Sequence, residues 1–204
     1  MTAAQPTKRC FVTVGATASF TSLIRAVLEP TFLEALGKEG YTELRMQFGK
    51  GGKKTFDDYS WVLPDELKQR LGISITGFDF NKDGLREEML AAKRTYGKSK
   101  YAGVEGCVIS HAGSGSILDA LRVELPIIVV PNPELLDNHQ LELAEVLAEQ
   151  NYVVHGELGK LAEALPAVEA LRKKMKQWPP VVGTNEKTPR QALAHVMDDE
   201  LGYD

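Results

Sequence analysis

Short apolar runs alternate with stretches of helical periodicity along most of the chain. The apolar runs predict six strands, at residues 10–14, 44–48, 73–76, 106–110, 126–130 and 152–155. Apolar residues at helical spacing predict helices at residues 23–28, 32–36, 85–92, 117–123, 141–149 and 158–176. Strands that alternate with helices are typical of a doubly wound sheet, so the sequence predicts an α/β, Rossmann-like fold with a mostly parallel sheet.

Proline and glycine mark the interruptions in this pattern. Pro30 is expected to end the first helical stretch before a second one begins. The lysine-rich segment 49–55 does not meet the Gly-x-x-x-x-Gly-Lys-Ser/Thr pattern, and no clear helix follows it. We predict a solvated loop there, with a phosphate or lipid-headgroup contact as the alternative. The polar segment 96–105 predicts a second surface loop.

The end of the chain differs in character from the alternating part. Trp178 and the two prolines after it are expected to stop the long helix, and an amphipathic helix is predicted at residues 189–201. We therefore assign residues 1–178 to one domain and residues 179–204 to a C-terminal tail and helix. This helix is expected to dock either on a partner or on the chain's own domain.

Composition narrows the classes of protein. Of 204 residues, 43% are hydrophobic and 25% charged, as in one soluble globular domain, and the formal charge of −4 argues against a nucleic-acid binder. No apolar run reaches the roughly 18 residues that span a bilayer, and the first residues hold no signal-peptide core, so a cytoplasmic location is expected. Cys10 and Cys107 adjoin predicted strands and are expected to be reduced core thiols. No spacing indicates a metal site or a cofactor.

Three loops follow predicted strands and carry residues suited to ligand binding, because open α/β sheets bind ligands outside the carboxyl ends of their strands. The first loop begins at Gly15, which permits a tight turn into a helix whose amide groups can face an anion. A dinucleotide-binding loop needs three glycines and an acidic residue after the second strand. Segment 15–20 has one glycine and segment 47–50 has no acid, which disfavours a dehydrogenase.

The second loop joins the fourth strand to a helix. Gly113 and Gly115 let the backbone approach a ligand closely, and Ser114, Ser116 and the helix amide groups suit a diphosphate. Asp119 lies about one turn into the helix, where a carboxylate can accept hydrogen bonds from ribose hydroxyls. The alternative is a capping box, in which Ser116 and Asp119 satisfy the helix terminus.

The third loop leaves the fifth strand through two prolines and ends in the quartet Asp137-Asn-His-Gln140. Side chains of the quartet can bind sugar hydroxyls through directed hydrogen bonds. The alternative is a capping pair of Asp137 and Gln140. Two other histidines, His155 and His195, lie on a strand end and an amphipathic helix and are expected to be structural.

Taken together, these loops resemble a known family. The segments ISHAGSGSILDA (109–120), LPIIVVPN (125–132) and DNHQLELA (137–144) resemble the C-terminal lobe of the glycosyltransferase family that contains the bacterial peptidoglycan N-acetylglucosaminyltransferase. The likeness is strongest to its eukaryotic branch, the catalytic subunits of the UDP-N-acetylglucosamine transferase of dolichol-linked oligosaccharide synthesis. FVTVGAT (11–17) and ITGFDF (75–80) extend the resemblance, and the combined pattern in this order is highly specific.

The resemblance implies a two-lobed (GT-B) enzyme in which this chain is equivalent to the C-terminal, donor-binding lobe. It implies that uracil lies around Phe78 and the ribose at Asp119, where the bacterial enzyme carries a longer glutamate. His111 is the best base within this chain, with a base from the partner lobe as the alternative. The residues implied to bind the donor are Gly15, Thr17, Phe78, Gly113, Ser114, Gly115, Ser116, Asp119, Asn138, His139 and Gln140.

The same resemblance implies a reaction in N-glycosylation. It implies transfer of N-acetylglucosamine from UDP-N-acetylglucosamine to N-acetylglucosaminyl-diphospho-dolichol, with inversion and without a metal. A membrane-anchored subunit would supply the acceptor lobe and hold the chain on the cytosolic face of the endoplasmic reticulum. Two alternatives stay open: a non-catalytic UDP-sugar-binding or regulatory module, and a different α/β enzyme such as a sugar-nucleotide epimerase.

Overall fold

The computed structural model describes residues 7–15, 19–93, 103–135 and 139–177. All six predicted strands are present, with bounds that differ by a few residues from the predicted ones. They are β1 (Lys8–Thr13), β2 (Glu43–Gln47), β3 (Ser74–Phe78), β4 (Val104–His111), β5 (Ile127–Val130) and β6 (Val154–His155). They form one sheet in the order β3-β2-β1-β4-β5-β6, and every neighbouring pair is parallel. The predicted doubly wound α/β fold is confirmed.

Helices pack on both faces of this sheet. They are α1 (Thr21–Leu28), α2 (Pro30–Lys38), α3 (Lys53–Val62), α4 (Asp65–Leu71), α5 (Arg86–Ala92), α6 (Ser114–Arg122), α7 (His139–Glu149) and α8 (Ala164–Gln177), with a 3₁₀ turn (Leu158–Glu163) before α8. Pro30 separates α1 from α2 as predicted. It opens α2 at the first helical position, where the missing N–H has no intrahelical partner to lose.

Two apolar cores lie on opposite faces of the sheet, because buried parallel strands are apolar on both sides. On one face, α1, α2 and α8 contribute Leu23, Leu33 and Leu165. On the other face, α5 and α6 contribute Met89 and Leu118, and α7 completes the layer. The result is a three-layer sandwich in which loops at the carboxyl ends of the strands stay available for a ligand.

The predicted solvated loop at residues 49–55 is wrong in its second half. Helix α3 begins at Lys53, and α4 follows it after a short turn. Neither helix was predicted, because each buries little: α3 buries Phe56 and α4 buries Leu67. One buried residue in a helix leaves no apolar stripe for a periodicity argument to detect.

The predicted surface loop at residues 96–105 is wrong at its end. Val104 and Glu105 belong to β4, and Glu105 is buried. Its carboxylate is tolerated there because Lys93 Nζ lies 3.1 Å away and Arg172 Nε 3.4 Å away. The rest of that segment lies outside the described residues.

The two cysteines face each other across the sheet. Cys10 on β1 is in register with Cys107 on β4, both side chains are buried, and the sulfur atoms are 3.9 Å apart. Both are free thiols in the core, as predicted. The predicted helix at residues 189–201 and the boundary at residue 178 lie outside the described residues. Across the described ranges, no helix is long and apolar enough to cross a membrane.

Candidate functional site

The sheet order creates a crevice between β1 and β4. From β1 the chain winds outward through β2 and β3, and it then returns to β4 and winds outward the other way. At such a switch point the loops that follow two adjacent strands leave in opposite directions and open a ligand site. The first and second predicted loops, which follow β1 and β4, are therefore neighbours.

His111 occupies the space between these two loops. A Cβ atom placed on Gly15 would lie 2.6 Å from the imidazole Nε2, and one placed on Gly113 would lie 2.2 Å from the same atom. Gly15 also has a φ of +84°, which favours glycine. A side chain at either position would collide with the His111 ring, so the packing of this ring favours glycine at both.

The environment of His111 favours its neutral form. Burial lowers the pKa of the imidazole, and a hydrogen bond with the backbone of Thr13 opposes this only in part. Nδ1 is enclosed and has no hydrogen-bond partner among the residues that the structure describes. A neutral imidazole can accept a proton, which a base requires, but the enclosure of Nδ1 restricts access to that nitrogen.

The capping-box alternative for the second loop is wrong. Helix α6 begins at Ser114, its N-cap is Gly113, and no side chain caps it. Ser116 and Asp119 therefore both lie inside the helix. The Asp119 carboxylate instead accepts a hydrogen bond of 3.1 Å from Arg122 Nη1, in a pair that is half-exposed.

The first turn of α6 presents unpaired amide groups at the crevice. Ile117 N–H bonds to the carbonyl of Gly113. The N–H groups of Ser114, Gly115 and Ser116 have no acceptor in the described ranges, as expected for the first turn of an uncapped helix. A Cβ atom on Gly115 would meet nothing within 4 Å. Open space, free N–H groups and the positive end of the helix dipole together form an arrangement suited to an anion.

Asn132 bonds the third loop to the first turn of α7. Helix α7 begins at His139, and Gln140 Oε1 accepts a hydrogen bond of 3.1 Å from the backbone N–H of Asn132. The predicted capping pair of Asp137 and Gln140 stays a prediction, because Asp137 lies outside the described residues. The side chain of His139 is 85% exposed at the start of the helix.

A cleft of about 600 Å³ lies beside this loop, at the carboxyl ends of β5 and β6. Asn132, Gln140 and Leu141 line one side, and His155 and Gly156 line the other. Its volume falls within the range typical of small-molecule sites. His155, which was expected to be structural, thus lines the cleft that Gln140 also lines.

Phe78 ends β3, and its side chain is partly buried. Its ring stacks on Phe11 with a centroid separation of 6.4 Å, and the Arg45 guanidinium lies 4.6 Å from the same centroid. Phe80, two residues further on, is half-exposed. The place of uracil around Phe78 and its neighbours stays a prediction. Thr17 and Asn138 lie outside the described residues.

Sequence reasoning missed Asn132. Its side chain is buried and bonds both to Ser19, in the loop after β1, and to Glu134, two residues further along its own loop. Nothing in the pattern except its place between Pro131 and Pro133 sets it apart. In the described ranges no group of three acidic, histidine or cysteine side chains is arranged to hold a metal ion.

Comparisons with known proteins find similar sequences over most of the chain. Residues 98–187 match the glycosyltransferase family 28 C-terminal domain. The UDP-N-acetylglucosamine transferase subunit ALG13 of Cryptococcus neoformans is 35% identical over 207 residues, which cover 95% of this chain and 96% of that protein. The same-named subunit of Saccharomyces cerevisiae is 34% identical over 166 residues, covering 72% of this chain and 76% of that protein.

Two solved structures share the fold. The solution structure of ALG13 superposes with a TM-score of 0.58 at 30% identity, covering 81% of this chain and 87% of that one. Acinetobacter baumannii MurG superposes with a TM-score of 0.54 at 15% identity, covering 97% of this chain but 51% of that chain. The fold of this chain therefore corresponds to about half of the bacterial protein.

Proposed function

The chain belongs to the family of UDP-N-acetylglucosamine transferase subunits, and from that premise we propose that it is the donor-binding subunit of an inverting glycosyltransferase. In this proposal it moves N-acetylglucosamine from UDP-N-acetylglucosamine to N-acetylglucosaminyl-diphospho-dolichol. The observation that carries the proposal is the open first turn of α6 at the switch point of the sheet, beside His111, where three N–H groups have no acceptor among the residues that the structure describes.

The diphosphate of the donor binds at this first turn. The N–H groups of Ser114, Gly115 and Ser116 donate to its oxygens, and the open space at Gly115 allows the backbone to approach them. As the glycosidic bond breaks, negative charge grows on the UDP leaving group. Fixed N–H groups and the helix dipole stabilise that charge without a metal ion.

The rest of the donor lies along the same edge of the sheet. Asp119, one turn into α6, accepts hydrogen bonds from the ribose hydroxyls, and Gln140 reaches the sugar from the start of α7. The cleft that Gln140 lines supports this placement of the sugar. Thr17, Asn138 and His139 complete the proposed donor contacts.

The base that activates the acceptor hydroxyl comes from a partner lobe. His111 is the best candidate within this chain, but its ring is enclosed between Gly15 and Gly113 and its Nδ1 is buried. A base has to reach the hydroxyl in the cleft between the two lobes. We therefore assign His111 to the diphosphate and leave the proton transfer to the partner.

The partner is a membrane-anchored subunit that supplies the acceptor lobe. The word subunit in the names of the relatives supports the existence of a partner. Two-lobed transferases react in the cleft between their lobes, and the proposed acceptor is a membrane lipid. The C-terminal helix predicted at residues 189–201 would dock the chain, through the apolar stripe Ala192, Leu193, Val196, Met197 and Leu201.

A transfer assay tests the proposal. The purified full chain is incubated with UDP-N-acetylglucosamine and a lipid-diphosphate-linked acceptor, alone and with membranes that contain the partner. We expect transfer only with membranes. Deletion of residues 188–204 should release the chain from membranes and abolish transfer while UDP-N-acetylglucosamine still binds.

Each other outcome identifies an alternative. Donor binding without transfer under either condition indicates a non-catalytic module. Absorbance from a tightly bound dinucleotide in the purified protein indicates an epimerase. Transfer by the chain alone contradicts the need for a partner, and transfer by the truncated chain contradicts the docking role of the tail.

Asp119→Asn tests the ribose assignment within the site. Because Asp119 pairs only with the half-exposed Arg122, the free energy of unfolding should change by less than about 0.5 kcal/mol. Loss of charge-assisted hydrogen bonds should weaken UDP binding about tenfold, measured by calorimetry. Arg122→Ala is the matched control, which removes the same ion pair and keeps the carboxylate. Equal affinities for UDP in the wild type and Asp119→Asn would contradict the assignment.

A further inference from the structure

Asn132 has every polar group of its backbone and side chain engaged. It is 5% exposed and lies between Pro131 and Pro133, neither of which has a backbone N–H. The only backbone N–H in this stretch of three residues is therefore that of Asn132, and it donates to Gln140 Oε1 at 3.1 Å. Its carbonyl accepts from Leu135 N–H at 3.3 Å.

The side chain of Asn132 joins two loops that meet at the proposed site. Its Nδ2 donates to the carbonyl of Ser19 at 3.3 Å, in the loop that follows β1. Its Oδ1 accepts from the N–H of Glu134 at 3.0 Å, in the loop that follows β5. A second link runs in parallel, from Ser22 Oγ to Glu134 Oε1 at 3.2 Å. The start of α1 and the third loop are therefore bonded to each other through Asn132 and its neighbour.

This arrangement fixes which way the Gln140 amide faces. A backbone N–H can only donate, so the oxygen of the Gln140 amide has to face Asn132. The NH₂ group is then directed away from Asn132, and Nε2 has no partner among the described residues. Gln140 thus presents two unused donors beside the cleft that it lines with Asn132.

We propose that Asn132 is a positioning residue that holds Gln140 so that its NH₂ group donates to oxygen atoms of the donor's sugar. This inference rests on the proposed function, since it names the group that orients one donor contact. Asn132 acts through Gln140 and does not touch the ligand. It therefore contributes to recognition of the sugar and not to recognition of the UDP portion.

The test compares the affinities of the full chain for UDP-N-acetylglucosamine and for UDP, measured by calorimetry well below the melting temperature. Asn132→Ala removes the bonds to Ser19 and Glu134. Gln140→Glu keeps an acceptor for the Asn132 N–H and removes both donors. In each variant, the ratio of the dissociation constant for UDP-N-acetylglucosamine to that for UDP should rise about three- to tenfold above the wild-type ratio.

Non-additivity identifies positioning as the cause. If Asn132 acts through Gln140, the double variant should raise the ratio no further than Gln140→Glu alone. Asn151→Ala is the control for general destabilisation, because Asn151 has a φ of +60° and lies before β6, at the opposite edge of the sheet. It should lower the melting temperature and leave the ratio unchanged.

Four results would overturn the inference. A wild-type ratio retained in Asn132→Ala makes Asn132 purely structural, and additive effects in the double variant separate it from Gln140. A ratio that rises equally in Asn151→Ala assigns the change to stability. A wild-type chain that binds neither nucleotide contradicts the proposed function itself, and the inference falls with it.

Discussion

The two ends of the parallel strands, here called the amino edge and the carboxyl edge of the sheet, differ in whether their polar groups have partners. At the amino ends of the strands lies a cluster of buried and half-buried side chains, here called the amino-edge cluster, in which the polar groups are paired with one another. It comprises Lys8, Tyr41, Glu105, Glu169 and Arg172. At the carboxyl ends, by contrast, buried or half-buried polar groups retain unused capacity.

The amino-edge cluster is almost completely paired; the exception among the described residues is Arg172 Nε, which is buried and makes no hydrogen bond. Arg172 donates to the carbonyl of Gly106 at 2.7 Å, to Tyr41 and to Glu169, and its Nε lies 3.4 Å from Glu105. Burial raises the pKa of Glu169, but hydrogen bonds from Arg172 and Lys8 outweigh it and leave that pKa below its usual value. Such a cluster fastens α8 to the sheet and offers little to a ligand.

At the carboxyl edge, several polar groups have no hydrogen-bond partner in the described part of the chain. His111 Nδ1, Gln140 Nε2 and the first N–H groups of α6 all lack partners in the described part of the chain. An unused buried donor or acceptor costs free energy, so a protein keeps one where a ligand satisfies it. The contrast teaches that pairing, and not polarity alone, separates a structural polar cluster from a binding site.

Replacement of Arg172 should have the largest effect, and it tests whether the amino edge contributes to stability without contributing to UDP binding. Arg172→Met should lower the free energy of unfolding by about 3–5 kcal/mol, because it removes the cation that the buried Glu105 and the half-buried Glu169 carboxylates share, together with the hydrogen bond to the Gly106 carbonyl. Urea denaturation measures the loss. The protein that remains folded should bind UDP with unchanged affinity, since the cluster lies at the opposite edge from the proposed site.

An exposed ion pair provides the control for Arg172→Met. Arg70 pairs with Glu34 on the surface, and Arg70→Met should change stability by less than about 0.5 kcal/mol. If Arg172→Met weakened UDP binding as strongly as it lowered stability, the two edges would not be independent. The assignment of stability to the amino edge and of UDP binding to the carboxyl edge would then be wrong.

The same contrast explains what the sequence predicted well. The six strands are short, nearly continuous apolar runs, and burial on both faces of a parallel sheet requires such runs whatever their partners. An entry into a helix after β4 was also predicted, because it leaves a local signature of small residues, although Ser114, Gly115 and Ser116 form the first turn of α6 and not a separate turn before it. These features depend on neighbours along the chain.

The parts that were not predicted depend on distant neighbours. Lys8 and Glu169 meet across 161 positions, and the bond from Asn132 Nδ2 to Ser19 spans 113. The capping box at Ser116 and Asp119 was a reasonable local alternative, but α6 begins three residues earlier than it requires. Bonds between residues as far apart as Lys8 and Glu169 form only in the folded chain, so no local pattern predicts them.

Substitutions at Gly113 and Gly115 distinguish a structural role from a binding role within the carboxyl edge. Gly113→Ala should lower stability by about 1–3 kcal/mol, because its Cβ would lie 2.2 Å from His111 Nε2. Gly115→Ala meets open space inside a helix, so stability should stay equal or rise by up to about 1 kcal/mol. UDP binding should nevertheless weaken about tenfold in Gly115→Ala, because the methyl group would occupy the space of the diphosphate.

Thermal unfolding and calorimetry on both variants separate the two roles. The matched pair matters because each variant adds the same methyl group, two residues apart. Normal UDP binding by Gly115→Ala would remove the diphosphate from the first turn of α6. Normal stability of Gly113→Ala would show that His111 moves aside easily, which would weaken its assignment as a fixed group at the crevice.

The smallest effect concerns the protonation of His111. Burial lowers its pKa in the free protein, so the unfolded chain takes up a proton more readily than the folded chain. Stability should therefore fall as the pH drops below the ordinary histidine range, about 6.5.

A diphosphate beside the His111 ring would favour the protonated form, so binding should take up a proton. The affinity for UDP-N-acetylglucosamine should then rise about threefold between about pH 7.5 and about pH 6, opposite in sign to the stability.

UDP-N-acetylglucosamine is the correct probe for this experiment, because it has no terminal phosphate that titrates near neutral pH, as UDP does. Calorimetry in buffers of different ionisation enthalpy measures the proton uptake directly. His111→Gln should abolish it, whereas His139→Gln, a change at the 85% exposed start of α7, should retain it. Uptake that disappears in His139→Gln instead would place the anion at the third loop, and no uptake in the wild type would separate His111 from the diphosphate. In either case the unused Nδ1 of His111 would need another explanation than the donor.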